Sequence, residues 1–552
     1  MKRRQLTSIA ILVLVALIFC SAPSNAVSEN AYQNVFIKYL EMGPATYLNI
    51  NAHGKIAADI DKRLMEIYHG NKLQPFWIKD GKPGPRAADI VFVLKDAESH
   101  GLNPASYFVD KIDQYWDSKD TAGLVRLDIL LTMGMMRYVA DQREGRMEPR
   151  VLDPKLFAGA RDVEVDWDLL RKTAFEALDM KAFLAQQAPS FLQYRELQKK
   201  LIEYRALAAK GGWPSIPAGK VLKAGMDDQR VKTIRKRLAA PGESTIENMD
   251  STVFDTALAE AVKRFQKRHN LNPDGVIGNK TLTAMNVPVS SRIDQIIINM
   301  ERYRWLKRFK DDSLVVVNIA GFEAAAGKPA KFDVIMPVIV GKAYHKTPVF
   351  SDTIKYVDFN PFWNVPNSIA RNEMLPKLKK NPDYLGTKNM RIFLGWDPDA
   401  PELDPTTIDW NNVSKKDMNR YRIRQDPGPN NALGTLKIIF PNKHNVYLHD
   451  TPSHGLFKQE RRAFSHGCIR MGRPAEMAAW VLGGEEKGWS VARVNEIVAS
   501  RKRQVVSLDQ PMPVYILYRT ALVDPKDNTL YFYEDIYGRD QLLAKALFDT
   551  GR

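Results

Sequence analysis

The chain has 552 residues, 45% of them hydrophobic, and carries a formal net charge of +16. That content is ordinary for a globular protein, and the length excludes a single core and predicts three or four domains. The positive excess favours anionic partners such as wall polymer or lipid headgroups. No zinc-finger spacing or RNA-binding aromatic signature accompanies it, which argues against nucleic acid; the plainer reading is a solvated basic surface.

Taken in chain order, residues 1–26 read as a cleaved secretory signal. Lys2, Arg3 and Arg4 precede the apolar run Ile9 to Phe19, and Ser24-Asn25-Ala26 supplies small residues at −3 and −1. The run of eleven is short of the ~20 residues of a membrane span. Cleavage removes Cys20 and leaves Cys468 as the sole cysteine, without a disulfide partner. Residues 27–219 are expected to form a mainly helical scaffold, with helices at Ala57 to Tyr68, Leu124 to Val139, Trp167 to Met180 and Ala182 to Ala209. Three short helices are expected within 220–288: Asp227 to Leu238, Val253 to His269 and Asn279 to Met285. The string AVKRFQKRHNLNPDGVIGNKTLTAMN there resembles the peptidoglycan-binding domain appended to many wall hydrolases and transpeptidases. A linking helix over Ser291 to Leu306 puts Ile293, Ile296, Ile297 and Met300 on one face.

The character then changes. Leu314 to Ile319, Phe332 to Met336, Ile354 to Val357, Thr435 to Phe440 and Asn445 to His449 are β-branched or aromatic runs, which predicts a β-rich domain over 289–508. An insertion at about 367–430, rich in Asn, Asp, Pro and Lys, reads equally well as a lid over a site or as surface decoration. Strands at Val514 to Leu517 and Leu530 to Tyr533 and a short helical tail fill 509–552. The whole is expected to be a multi-domain α+β protein.

Chemistry concentrates between His444 and Met471, which holds Cys468 and four of the nine histidines. A thiol needs a base to become a nucleophile, and imidazole is the usual one. Along a strand from Asn445 to His449, Asn445, Tyr447 and His449 share one face and Val446 and Leu448 the other. Core-facing Val446 and Leu448 would leave His449 on an accessible face. In Ser465-His466-Gly467-Cys468, Gly467 permits a tight turn that brings two backbone N–H groups near the sulfur, an oxyanion hole often worth ~3 kcal/mol per donor. Arg470 is placed to hold a substrate carboxylate or to brace the loop.

His449 followed by Ser465-His466-Gly467-Cys468-Ile469-Arg470-Met471 resembles the signature of the L,D-transpeptidases with a YkuD-type catalytic domain. Pro348 to Asp352, Phe359 to Pro366 and Pro427 to Gly434 are similar to the long, multi-domain Gram-negative members. The resemblance implies a mixed-sheet catalytic domain and a mechanism that needs no cofactor. His449 takes the proton of Cys468, the thiolate attacks residue three of a tetrapeptide stem, and a diaminopimelate amine resolves the thioester to a 3→3 cross-link. It further implies that the Asp450 carbonyl orients the imidazole, that the Cys468 and Gly467 N–H groups hold the oxyanion, and that Ser465 and His466 shape the loop. Tyr447, Trp363 and Asn364 are read as substrate-groove residues. The expected partners are peptidoglycan stem peptides in the periplasm, with peripheral association to wall or membrane.

Four rival readings stand beside this one. Zinc would use His444, His449 and His454, but residues five apart on a strand face opposite ways and no H-E-x-x-H is present. A papain-like peptidase places its cysteine before its histidine, the reverse of this order. A hydrolase sharing the acyl-enzyme, an L,D-carboxypeptidase or endopeptidase, differs only in the acceptor. A non-catalytic wall-binding scaffold would leave Cys468 and His449 idle.

Overall fold

The computed structural model describes residues 29–43, 55–153, 166–241, 246–306, 313–329 and 331–548. The expected signal segment, with Cys20, lies outside them. Among the described residues no helix is long and apolar enough to cross a membrane. The chain divides into two compact units. One comprises residues up to Lys95, Pro104–Arg137 and Arg171–Lys181, and the other Asp96–Asn103, Tyr138–Leu170 and the chain from Ala182 onward. The expected scaffold over 27–219 is therefore split between two bodies.

The first unit contains the helices Lys55–Gly70 and Pro85–Lys95 and a small hairpin of β1 (Ile78–Lys79) and β2 (Lys82–Pro83). Its core gathers Leu64, Tyr68, Trp77, Ile90, Leu94, Leu124 and Leu131. Within that apolar setting Asp128 is fully buried. The Tyr68 hydroxyl donates to it at 2.7 Å and the Trp77 backbone N–H at 2.8 Å. Burial pushes its carboxyl up to about 6, against the pull of those donors.

In the second unit the expected helix over Ala182 to Ala209 is interrupted. Met180–Ala185 and Leu192–Ala209 are separate helices, because Pro189 lacks an N–H and disfavours helix at the residue before it. Helix Leu192–Ala209 packs Tyr194, Leu197 and Leu201 on Ile296, Ile297 and Met300 of the linking helix Val289–Arg304. The three expected short helices form at Arg230–Ala239, Thr256–Arg268 and Asn279–Met285. Asp255 caps the middle one by accepting from Leu258 N–H at 2.7 Å. Buried Gln266 staples the following loop, donating to Asp274 Oδ1 (2.8 Å) and the Val276 carbonyl (2.9 Å) and accepting from Gly275 N–H (2.8 Å).

The β-rich domain is a mixed sheet that closes on itself. Its strands are β3 (Leu314–Asn318), β4 (Glu323–Lys328), β5 (Lys331–Gly341), β6 (Phe350–Phe359), β11 (Leu436–Ile439), β12 (Leu448–His449), β13 (Ala463–Ser465), β14 (Ile469–Met471) and β15 (Gln504–Leu517). The order is β13-β5-β14-β12-β11-β6-β15-β3-β4, and β4 pairs with β5, which completes a barrel-like ring. Val315, Val317, Val338, Val357, Ile438, Leu448, Ile469 and Ile516 fill its core.

Two expected boundaries shift. The 508/509 division falls inside β15, a strand paired with β3 and β6. Tyr518, Ile536, Tyr537, Leu543 and Leu547 are buried in the same core, so the C-terminal segment packs with the barrel. The insertion starts at β7 (Trp363–Asn364), which joins β8 (Met390–Leu394), β9 (Glu402–Leu403) and β10 (Tyr421–Gln425) in a second sheet, in the order β7-β10-β8-β9. Met374, Leu378, Ile392, Trp410, Met418 and Ile423 give it a core of its own.

Candidate active site

The site is built where two short parallel strands meet. Leu448 of β12 pairs with Ile469 of β14, and His449 with Arg470. Ile469 N–H donates to the Tyr447 carbonyl at 3.1 Å, which continues the register back to Tyr447 beside Cys468. Alternation then puts Tyr447, His449, Cys468 and Arg470 on one face. The opposite face carries Val446, Leu448, Ile469 and Met471, all buried in the barrel core.

His449 differs from expectation in one respect: it is only 4% exposed, not accessible. The strand is two residues long, and Asn445 sits at φ +52°, so the alternating run does not reach back to it. Nδ1 of His449 lies against the Asp450 carbonyl. A carbonyl only accepts, so Nδ1 bears the hydrogen and Nε2 keeps its lone pair. Burial first, then the Arg470 charge, hold the imidazole down to about 3, opposed by the carbonyls of Asp450 and Leu433. It is neutral, and able to accept a proton.

The Asp450 carboxylate does separate work. Oδ2 accepts from the N–H and the hydroxyl of Thr435, each at 2.8 Å, and Oδ1 from its neighbour Thr451 N–H at 2.7 Å. Gly434 lies beside it at φ +62°, where an added Cβ would sit 2.4 Å from that carboxyl group.

Cys468 is half-buried, and its thiol lies 3.6 Å from the Asn445 carbonyl. Burial raises its pKa, while the backbone N–H and hydroxyl of Tyr447 and the Arg470 charge pull it down. Burial and the neighbouring sulfur raise the Tyr447 hydroxyl in turn, so it stays a donor. At rest the pair is thiol and neutral imidazole, not a preformed ion pair.

The loop before the cysteine is braced from within. Ser465 Oγ donates to the Cys468 carbonyl at 2.5 Å and accepts from Gly467 N–H at 3.1 Å. This corrects the expectation that Gly467 N–H serves an oxyanion: Ser465 already occupies it. The backbone N–H and hydroxyl of Tyr447 are the donors that face the sulfur. Gly467 itself adopts φ +120°, a conformation that favours glycine.

His466 points outward, its Nε2 2.6 Å from Glu373 Oε1 of the insertion. The insertion therefore touches the cysteine loop, which favours the lid over the decorative reading. Arg470 is half-buried, and among the described residues no carboxylate pairs with it. Trp363 and Asn364 pair with Gln425 and Arg424 in the insertion's own sheet and are not part of the four-residue face. His444 rests on the Phe350 ring, 5.1 Å between centroids. Reasoning from residue types missed Leu433, Glu373 and Thr347. Of these only Leu433 had a local signal, the tight Asn-Asn-Ala-Leu-Gly turn.

Three segments of the chain match known families. A family model described as "L,D-transpeptidase catalytic domain" (YkuD) matches residues 312–506, a "Putative peptidoglycan binding domain" matches 227–285, and a "Scaffold domain" matches 62–201. A Haemophilus influenzae protein described as "Putative L,D-transpeptidase" is 33% identical over 265 residues. The match covers 48% of this chain and 52% of that relative, so the chain spans about half the relative's length. An L,D-transpeptidase structure from Mycobacterium smegmatis is similar at 15% identity, covering 37% of this chain and 58% of that one, with a TM-score of 0.17. One from Xylanimonas cellulosilytica is similar at 13% identity, covering 55% and 99%, with the same TM-score of 0.17. Residues 312–506 thus match the L,D-transpeptidase (YkuD) catalytic-domain family, and residues 227–285 match a putative peptidoglycan-binding domain.

Proposed function

We propose that the protein is an exported peptidoglycan L,D-transpeptidase that works through a Cys468 acyl-enzyme and forms 3→3 cross-links in the periplasm. The observation that carries this reading is the single face shared by Tyr447, His449, Cys468 and Arg470. His449 Nε2 takes the thiol proton as sulfur attacks the carbonyl of stem residue three. The C–S bond forms, and the oxygen's charge is met by Cys468 N–H and the Tyr447 hydroxyl. Collapse breaks the C–N bond to the terminal D-Ala, whose amine leaves with the proton held by the imidazole. A second stem's side-chain amine then attacks the thioester, forming a new C–N bond and breaking C–S. The amine's proton passes through His449 back to sulfur. Since burial disfavours both charged partners, proton transfer accompanies attack instead of preceding it. Arg470, with which no carboxylate pairs among the described residues, is suited to a carboxylate of the stem. The insertion, in contact with the cysteine loop through Glu373, would cover the bound peptide.

Mass spectrometry after carbapenem challenge tests the nucleophile. One adduct on Cys468, absent in Cys468→Ala, is expected; an adduct that survives the substitution, or none on the native enzyme, overturns the reading. Incubation with disaccharide-tetrapeptide then identifies the acceptor. Cross-linked dimer means transfer, and tripeptide alone would make the enzyme a hydrolase.

A further inference from the structure

Beyond the residues that face the sulfur, we infer that Thr347, held by the C-terminal segment, is a positioning residue that aims the Cys468 N–H at the developing oxyanion. The inference rests on the acyl-enzyme reading above. Thr347 is fully buried, 120 residues before the cysteine loop. Its hydroxyl donates to the Gly467 carbonyl at 2.9 Å and accepts from Gly341 N–H at 2.9 Å. In a trans peptide the C=O and the following N–H point in opposite directions. Anchoring the Gly467 carbonyl therefore sets the direction of Cys468 N–H. Ser465 secures the two peptide groups on either side, taking Gly467 N–H and giving to the Cys468 carbonyl. No acceptor is seen for Cys468 N–H among the described residues, and Thr347 determines where it points.

Thr347 is itself fixed from outside the motif. Tyr537 donates its hydroxyl proton to the Gly341 carbonyl at 2.6 Å, and the same oxygen accepts from Thr347 N–H at 3.2 Å. Arg539 Nη1 donates to the Thr347 carbonyl at 3.3 Å, and its Nε faces Asp153 Oδ2 at 3.3 Å. The Tyr518 hydroxyl in turn accepts from Tyr537 N–H at 3.0 Å and donates to Asp535 Oδ1 at 2.6 Å. Gly341 completes the set, since a Cβ there would meet the His345 carbonyl at 2.0 Å. A tail expected from the sequence as late strands and a short helix is thereby wired, through buried hydrogen bonds, to the peptide group that precedes the nucleophile.

The test separates oxyanion support from general structure by using two reagents on one thiol. Acylation by a carbapenem passes through a tetrahedral oxyanion; alkylation by iodoacetamide displaces iodide and forms none. Thr347→Val keeps the shape and loses the hydroxyl. It is expected to slow acylation of Cys468 about 10- to 100-fold while alkylation stays within about twofold, and Thr347→Ser should restore most of the acylation rate. Tyr537→Phe, a milder change, should show the same split with a smaller loss, and it serves if the valine variant does not fold. Acylation at the native rate in Thr347→Val, or equal loss of acylation and alkylation in both the Val and Phe variants, overturns the inference. Failure of the unmodified enzyme to acylate at Cys468 would instead remove the acyl-enzyme reading itself.

Discussion

Replacing Gly434 by alanine should unseat the base without touching it. Gly434 sits at φ +62°, and an added Cβ would lie 2.4 Å from both Cγ and Oδ2 of Asp450. The backbone conformation alone costs an alanine about 1–2 kcal/mol. The larger effect is displacement of the carboxylate, which accepts from the N–H and hydroxyl of Thr435 and from Thr451 N–H. Hydrogen bonds to a charged group are worth roughly 1.5–3 kcal/mol each. Losing one or two of them brings the total to about 2.5–8 kcal/mol. Since the same residue's carbonyl holds His449 Nδ1, the imidazole should lose its orientation. Urea unfolding reads the stability, and timed mass spectrometry reads acylation and alkylation of Cys468. Both reactions are expected to slow together, because both need the proton removed, in contrast to the split foreseen for Thr347→Val. A variant destabilised by less than about 1 kcal/mol that acylates at the native rate would refute the reasoning.

Two further outcomes follow from buried polar groups. Gln266→Ala strands Gly275 N–H and removes the staple to Asp274 and Val276; a cost of about 1–3 kcal/mol is expected, read as faster hydrogen exchange over residues 270–278, with acylation of Cys468 unchanged. Stability of the second unit should fall on acidification. His449 and His100 are each held down to about 3, chiefly by burial, and His269 is held well below its ordinary value for the same reason. The unfolded chain binds protons at these histidines from about pH 6.5, whereas the folded chain refuses them at His449 and His100 until near pH 3 and at His269 until well below its ordinary range. Their effect is absent above pH 6.5 and grows as pH drops, by at most about 1.4 kcal/mol per pH unit for each histidine. The carboxyls of Glu323 and Asp540, whose pKa values are raised chiefly by desolvation, subtract from this loss. Urea midpoints that do not fall between pH 7 and pH 5 would contradict the assignment.

Much of the site was legible in residue order because its determinants are local. Val446 and Leu448 alternate with Tyr447 and His449, which sorts core from site whatever the partner strand. Ser-His-Gly-Cys makes its own turn, Asp255 caps its own helix, and Gln266 reaches only as far as the loop that follows. Even Pro189 signalled a break that the apolar pattern concealed. What the tertiary structure alone decided are pairings between segments far apart in the chain. Parallel pairing of β12 with β14 buries His449 and so makes it neutral, and it seats Arg470 beside it. Ser465 takes the Gly467 N–H that residue types had offered to substrate, a choice settled by one hydroxyl's rotamer. Thr347, Tyr537 and Glu373 lie 121, 69 and 95 residues from Cys468, and no periodicity or motif connects them to it. Local pattern reports what a segment buries; only the closed barrel reports which distant donor finds which acceptor.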